Sequence, residues 1–417
     1  MNKLSLSLVA FLLLDELVNL FSPFSSGLGL FVFLIFFVFM HPLPLRLRFN
    51  DMAGNMESYL HTGLAAILLI FCYSLLASAN SPCQGDYVFS FATMFIFTIS
   101  WLLFEIYTPS LSKTKLIEPS HALVGLTLVA VFLLISTLGL DLYELLLKGK
   151  VNRPSGLYLE PSHLILYSAP LMFLSIGDQK TRPLAVLLIL LICVLAFSAT
   201  VAVLFSLTVI LAMIHKAMNS SVGFSRKNKL IMVVVSIVLL AFYLKYEVYL
   251  VDRLYGLLDY EHTTNWSSLV YLNGWLLAYS SVYHTSGLGL GLGSMGCSEL
   301  INYDRVTLAD IMYPGSGGLI TNLRDGSFLV SKIISELGFL GIMLLLLALL
   351  RLLQILLLGF KGKFDLELVG IIALVFTILF VRGLPYFSAV IVYSWLLLRV
   401  FVWNNQSRYY PVHVDGK

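Results

Sequence analysis

The chain has 417 residues, of which 59% are apolar and only 12% are charged, and its formal net charge is +3. Soluble domains carry roughly 25% charged residues, so this composition excludes an ordinary soluble enzyme and indicates burial in lipid. The small net charge gives no reason to expect nucleic-acid binding.

Twelve apolar runs long enough to cross a bilayer follow one another along the chain. They lie near residues 5–22, 26–44, 62–80, 88–107, 120–140, 162–177, 183–198, 199–215, 229–250, 327–353, 366–382 and 385–402. The sequence therefore predicts an all-α integral membrane protein with about 12 transmembrane helices, which form one domain over residues 1–417. We expect the first run to be a retained span, because Asp15 and Glu16 interrupt it and no small-residue cleavage site follows Phe21.

The stretch 183–215 is too long for one span and short for two, with a candidate tight turn at residues 198–200. Treating it as a hairpin places most Lys and Arg residues in short connections on one side, as the positive-inside rule requires. A single span there would break this pattern in the second half of the chain. The charge distribution thus predicts two spans and places both termini in the cytoplasm.

Residues 251–326 form the longest connection, and it falls between the ninth and tenth predicted spans. The charge pattern puts this loop on the outer, periplasmic side. Loops of this length are usually functional. Within it, residues 266–283 have the pattern of a short amphipathic helix that lies on the membrane or dips into it.

The densest polar cluster covers residues 152–163, at the predicted outer mouth of the sixth span. Arg153 offers a planar fork that matches a phosphate group. Pro161 suits the first turn of the following helix, which would put Glu160 and His163 on one face. Interfacial anchoring with a helix start explains the same residues equally well, so the cluster alone does not decide between anchor and active site.

The sequence of residues 153–162, Arg-x-Ser-Gly-x-x-x-Glu-Pro-Ser, resembles the motif before a mid-chain span in Wzy-type O-antigen polymerases and the related O-antigen ligases. Two later segments continue the resemblance. Residues 283–291 are similar to the family's glycine segment in the large periplasmic loop. Residues 325–329 and 336–341 are similar to its entry into the next span.

This resemblance implies a membrane glycosyltransferase of the bacterial inner membrane, with its active site facing the periplasm. Its donor would be an oligosaccharide repeat unit linked to undecaprenyl diphosphate, and the growing glycan would pass to a sugar hydroxyl of the next lipid-linked unit. Neither a metal nor another cofactor is implied. A flippase and a chain-length regulator are the protein partners that the resemblance leaves open.

The resemblance also suggests roles for individual residues. Arg153 and Arg324 would hold the diphosphate, while Glu160 with His163 would orient or deprotonate the acceptor, with Asp325 as a substitute. A structural pairing of Glu160 with Arg153 is the competing assignment. The remaining candidates for substrate contact are Gly156, Tyr158, His284, Gly287, Gly289, Gly291 and Arg382. For Arg382 the competing interpretation is a side chain that snorkels to the interface, and for the glycines it is a flexible turn.

Two other functions compete with the polymerase. The O-antigen ligase differs in its acceptor, the lipid A core; the ligases carry a histidine where this chain has Asp325, which argues against it. A lipid or sugar transporter would use the same polar residues as a pathway. Transporters build their sites near the midplane from paired broken helices, whereas the charged residues here gather at predicted outer span ends.

Overall fold

The computed structural model describes residues 3–20, 30, 33–34, 53–81, 95–96, 98–105, 108, 116–138, 160–196, 198–218, 266–295, 328–360, 366–384, 386 and 388–409. Across these ranges the chain is helical and contains no strand. The helices are α1 (Lys3–Leu20), α2 (Ala53–Asn80), α3 (Pro119–Thr137), α4 (Pro161–Gly177), α5 (Arg182–Leu195), α6 (Ala199–Met218), α7 (Trp266–His284), α8 (Leu329–Phe360), α9 (Leu366–Phe380) and α10 (Ala389–Tyr409).

Three of the described helices contain segments long and apolar enough to cross a membrane: Gly63–Asn80 in α2, Pro119–Thr137 in α3 and Leu329–Leu358 in α8. Shorter apolar segments lie in α1, α5, α6, α9 and α10. The all-helical, membrane-protein character predicted from composition is therefore confirmed, whereas the number of spans stays a prediction. The predicted span near 229–250 and most of those near 26–44 and of the loop 251–326 lie outside the described residues.

Helix α4 lies at the centre of the described bundle, where it packs against α1, α3, α5, α6, α9 and α10. Its residues from Leu164 to Ile176 are all buried. Pro161 occupies the first turn, as predicted, because proline has no backbone N–H to leave unpaired there. The end of α4 at Glu160 is therefore fixed relative to most of the other helices, and we call this end of the molecule the Glu160 end.

The stretch 183–215 forms two helices: α5 ends at Leu195 and α6 begins at Ala199. The prediction of two helices is thus confirmed, with the break slightly before the expected turn. The two helices have different neighbours: α5 packs mainly against α3 and α4, and α6 mainly against α9.

The predicted helix in the long loop is confirmed as α7, and three of its serines are buried. Ser268, Ser280 and Ser281 are buried, whereas the side chains of Tyr279 and Tyr283 are 68% and 69% exposed. The helix packs along α8. Small polar residues at a helix contact with aromatic residues outside are typical of packing between membrane helices. Whether α7 lies on the membrane or dips into it stays a prediction.

Helix α8 is not the single continuous span that the sequence predicts over residues 327–353. Gly338 has φ 54° and ψ −132°, which is outside the helical region, so α8 consists of two helical segments that meet there. The two segments bend toward each other, because a Cβ on Gly341 would lie only 2.5 Å from the carbonyl oxygen of Ile333. A glycine can adopt this positive φ without the steric cost that other residues meet.

Candidate active site at the Glu160 end

Glu160 forms an ion pair with Arg382, which follows it by 222 residues in the chain. The Glu160 Oε2 atom lies 2.5 Å from Arg382 Nη2 and accepts a second hydrogen bond, at 3.1 Å, from the Ser162 hydroxyl. Glu160 occupies the N-cap position of α4, without a capping hydrogen bond from its side chain, and Arg382 lies just past the C-terminus of α9. Each charge therefore lies at the helix end where the macrodipole favours it.

The carboxyl group of Glu160 is held in its charged form. Burial opposes ionisation, but the Arg382 guanidinium, the nearby His163 and the hydrogen bond from Ser162 together outweigh it and lower the pKa of Glu160 below its ordinary value. The proximity of His163 confirms that the two residues share one end of the helix. Since 43% of the Glu160 side chain remains exposed, the carboxylate is accessible to a ligand.

The guanidinium of Arg382 has hydrogen-bonding capacity left over. Its side chain is 21% exposed, and Nη2 is the atom that binds Glu160. Its Nε atom is buried and has no hydrogen-bond partner in the described part of the chain. Buried polar groups are almost always paired, so an arginine with a donor to spare at a helix end is a candidate for binding an anion.

A short segment after α9 connects Arg382 to a second polar cluster. Gly383 touches the backbone of Phe328, since a Cβ there would approach the Phe328 Cα to 2.9 Å. Phe328 immediately precedes α8, and its ring packs on Tyr271 and Trp275 of α7. The segment thus runs from the Glu160 pair to the start of α8.

The second cluster contains Lys332, Glu336 and Tyr386. The Tyr386 hydroxyl donates a 2.7 Å hydrogen bond to Glu336 Oε2, and Lys332 Nζ lies 5.0 Å from the centre of the Tyr386 ring. The sequence resemblance includes Glu336 but suggests no role for it. Lys332 and Tyr386 lie outside the segments of the resemblance.

The glycine loop, residues 286–295, packs into the bend of α8. Gly287, Gly289, Gly291 and Gly293 all have φ between 79° and 90°, a backbone conformation that favours glycine. A Cβ on Gly289 would lie 2.5 Å from the backbone nitrogen of Gly338. The loop and the bend therefore depend on each other, and glycine is required on both sides of the contact.

The backbone N–H groups of residues 287–292 all donate hydrogen bonds within the protein. Leu290 and Gly291 donate to the carbonyl oxygens of Ser335 and Glu336, and Gly289 donates to the Thr285 hydroxyl. Leu292 donates to the Ser74 hydroxyl of α2. These groups are occupied in this conformation, so the phosphate contact predicted for Gly287, Gly289 and Gly291 stays a prediction, as does the alternative of a flexible turn.

Asp15 is buried and joins three helices. Its Oδ2 atom accepts hydrogen bonds of 2.9 Å from the Tyr167 hydroxyl of α4 and from the backbone N–H of Ala389, the first residue of α10. A carboxylate at a helix N-terminus is favourable because it pairs with unsatisfied N–H groups. The observed contacts give Asp15 a structural role.

The predicted site residues divide into two groups. Glu160, His163 and Arg382 meet at the Glu160 end, and the glycine loop meets the segment 336–338 of α8. His284 ends α7, where its ring packs edge-on against that of Tyr283. Arg153, Gly156, Tyr158, Arg324 and Asp325 lie outside the described residues.

Comparison with known proteins adds no family assignment. No family profile, no curated protein and no solved structure matches the chain.

Proposed function

We propose that this chain is a polysaccharide polymerase of the bacterial inner membrane. It joins undecaprenyl-diphosphate-linked oligosaccharide units into O-antigen or a related surface polysaccharide at the periplasmic face. The proposal includes about twelve spans, cytoplasmic termini and a periplasmic loop over residues 251–326.

The observation that carries the proposal is the meeting of motif segments that are far apart in the chain. Glu160, from the first segment of the resemblance, pairs with Arg382. The glycine loop, from the second, donates to the backbone of Glu336 in the third. The stretch from Arg382 to Tyr386 touches both groups, through Glu160 at one end and Glu336 at the other. Convergence of this kind supports one site more strongly than three separate sequence matches do.

The chemistry of glycan transfer requires an anion-binding group and a hydroxyl-orienting group. Arg382 binds the diphosphate with the donors that Glu160 leaves unused, and so stabilises the negative charge that develops as the C1–O bond to phosphate breaks. Glu160 accepts a hydrogen bond from the acceptor hydroxyl and takes its proton as the new glycosidic bond forms. A carboxylate with a lowered pKa is a weak base, which suits a transition state in which the leaving group departs first.

The other predicted residues keep their proposed roles around this pair. Arg153 and Arg324 supply further positive charge for the diphosphate, and Asp325 is the alternative base. His163 assists Glu160 through its charge or by a hydrogen bond to the acceptor. The proposed enzyme needs no metal, because arginine side chains provide the charge stabilisation and the lipid diphosphate bond supplies the driving force.

Deleting the gene in its host and separating lipopolysaccharide on a gel tests this function. If the protein is a polymerase, the deletion strain should lose the long-chain ladder but still carry a single repeat unit attached to the lipid A core. The wild-type gene should restore the ladder, and the Glu160→Gln variant should fail to do so although the protein is present in the membrane.

Two other outcomes would contradict the proposal. If all O-antigen disappears from the core while lipid-linked polymer accumulates, the protein is the ligase. If the ladder is unchanged, the protein is neither, and transport of a lipid or sugar becomes the function to test.

A further inference from the structure

A cavity of about 380 Å³ lies between α8, α9 and α10. Each helix contributes residues spaced as on one helical face. Helix α10 supplies Ile391, Ser394, Trp395, Leu398, Arg399 and Val402. Helix α8 supplies Ala348, Arg351, Leu352 and Ile355. The volume is within the range of small-molecule sites, roughly 300 to 1,000 Å³.

The polar groups of this cavity lie in a fixed order. Arg351 is exposed, and its Nη1 donates to Gln354 one turn further along α8, which turns the guanidinium toward the C-terminal end of that helix. Arg399 lies near the same end. Ser394 precedes Arg399 by five residues, which is about 7.5 Å along a helix. Beyond Ser394 the lining of α9 and α10 is apolar, with Ile378, Leu379 and Ile391.

The hydroxyl of Ser394 is a second polar group in the lining of the cavity. The residue is 2% exposed, and its Oγ has no hydrogen-bond partner in the described part of the chain. A buried hydroxyl that lines a cavity without a partner is costly unless an occupant pairs with it. Water does not fill an apolar cavity of this kind well, because it needs two or more polar partners.

The charge at the mouth is positive. Arg399 is neutralised by its ion pair with Glu105, while among the described residues Arg351 hydrogen-bonds the neutral Gln354 and forms no ion pair. The basic connections of the sequence predict that this end faces the cytoplasm, where the leaflet is rich in anionic lipid.

We propose that this cavity binds one anionic glycerophospholipid of the inner leaflet. Its phosphate pairs with Arg351, an ester carbonyl accepts the hydrogen bond of Ser394, and an acyl chain fills the space between α8, α9 and α10. The phosphate, ester and acyl chain of such a lipid follow one another in the same order as Arg351, Ser394 and the apolar lining of the cavity. A polyprenyl phosphate has no ester, so the buried hydroxyl selects the glycerophospholipid. This inference is independent of the proposed polymerase activity.

Fluorescence of Trp395 provides the test. The full-length protein is reconstituted into phosphatidylcholine vesicles that contain increasing fractions of phosphatidylglycerol brominated on its acyl chains. Bromine quenches tryptophan on contact, and the difference between wild type and Trp395→Phe isolates the signal of this residue. We expect brominated phosphatidylglycerol to quench it at a fraction about tenfold lower than brominated phosphatidylcholine, as one charge-assisted hydrogen bond implies.

Three variants sharpen this test. Arg351→Gln should remove the preference for phosphatidylglycerol, whereas Lys180→Gln, which removes an exposed charge on the same predicted side, should retain it. Ala348→Phe fills the cavity from an exposed position and should reduce quenching by both lipids. Equal quenching by the two lipids in the wild type would overturn the proposal in favour of bulk lipid. Relief of quenching by undecaprenyl phosphate at a lower fraction than by unlabelled phosphatidylglycerol would overturn it in favour of an isoprenoid occupant.

Discussion

Among the residues that the structure describes, two ion pairs join distant segments, Arg399 with Glu105 and Arg382 with Glu160, and they differ in how completely their hydrogen bonds are satisfied. Arg399 binds Glu105 through three contacts of 2.7 to 3.1 Å, and both side chains are less than 20% exposed. Arg382 uses Nη2 for Glu160 and leaves Nε without a described partner, and Glu160 is 43% exposed.

This difference in hydrogen bonding indicates that the two ion pairs have different roles. A bidentate pair has its donors and acceptors matched within the protein, so it fixes helix α10 against the segment 98–105. A pair with one contact and an open side can rearrange around a ligand without leaving a buried charge unpaired. We therefore assign structure to the first pair and ligand binding to the second.

Breaking the complete pair should have the largest effect on stability. Arg399→Gln leaves Glu105 mostly buried without its countercharge, which should lower the free energy of unfolding by about 3 kcal/mol. Thermal unfolding of the purified protein in detergent measures this loss. The matched variant Arg382→Gln should cost less than half as much, and equal losses would remove the distinction between the pairs.

Breaking the incomplete pair should have the largest effect on activity. Arg382→Gln removes the charge that stabilises the leaving diphosphate, and polymer formation should fall by about a hundredfold. The lipopolysaccharide ladder, normalised to protein in the membrane, measures this change. Arg399→Gln should retain activity per folded molecule, and a comparable loss in that variant would show that the ladder reports folding alone.

Acid should weaken the Glu160 pair only at low pH. Because the pKa of Glu160 in the folded protein lies below the ordinary value of 4.5, the pair stabilises the fold above that value. The contribution is lost as the pH falls through the lowered pKa. The difference in melting temperature between wild type and Glu160→Gln should be constant from about pH 8 to about pH 5 and vanish below. A midpoint near neutral pH would mean a raised pKa and a stronger base.

Removing the hydrogen bond from Ser162 should have the smallest effect. Ser162→Ala takes one neutral donor from a partly exposed carboxylate, which is worth about 1 kcal/mol and corresponds to roughly a fivefold loss of activity. The same ladder assay measures it. A loss as large as that of Arg382→Gln would mean that Ser162 itself contacts the substrate.

Hydropathy predicted most of the described helices closely, because a span is encoded by a continuous apolar run. Pro161 and the break between α5 and α6 also have local signals in the sequence. The pairing of Glu160 with Arg382 and of Glu105 with Arg399 has no local signal in the sequence. The two residues of each pair are 222 and 294 residues apart, and hydropathy reports only local order. The bend at Gly338 was missed because it lies within a continuous apolar run, and only the contact with the glycine loop shows why glycine is required there.

A double-mutant cycle on the Glu160–Arg382 pair tests the central claim most directly. Polymer formed per protein in the membrane is measured for Glu160→Gln, Arg382→Gln and the double variant, together with their melting temperatures. If the two residues act as one catalytic unit, each single variant should lose about as much activity as the double, and these losses should exceed what the falls in melting temperature explain. Losses that multiply in the double variant, or that follow the melting temperatures, would contradict the assignment of the site.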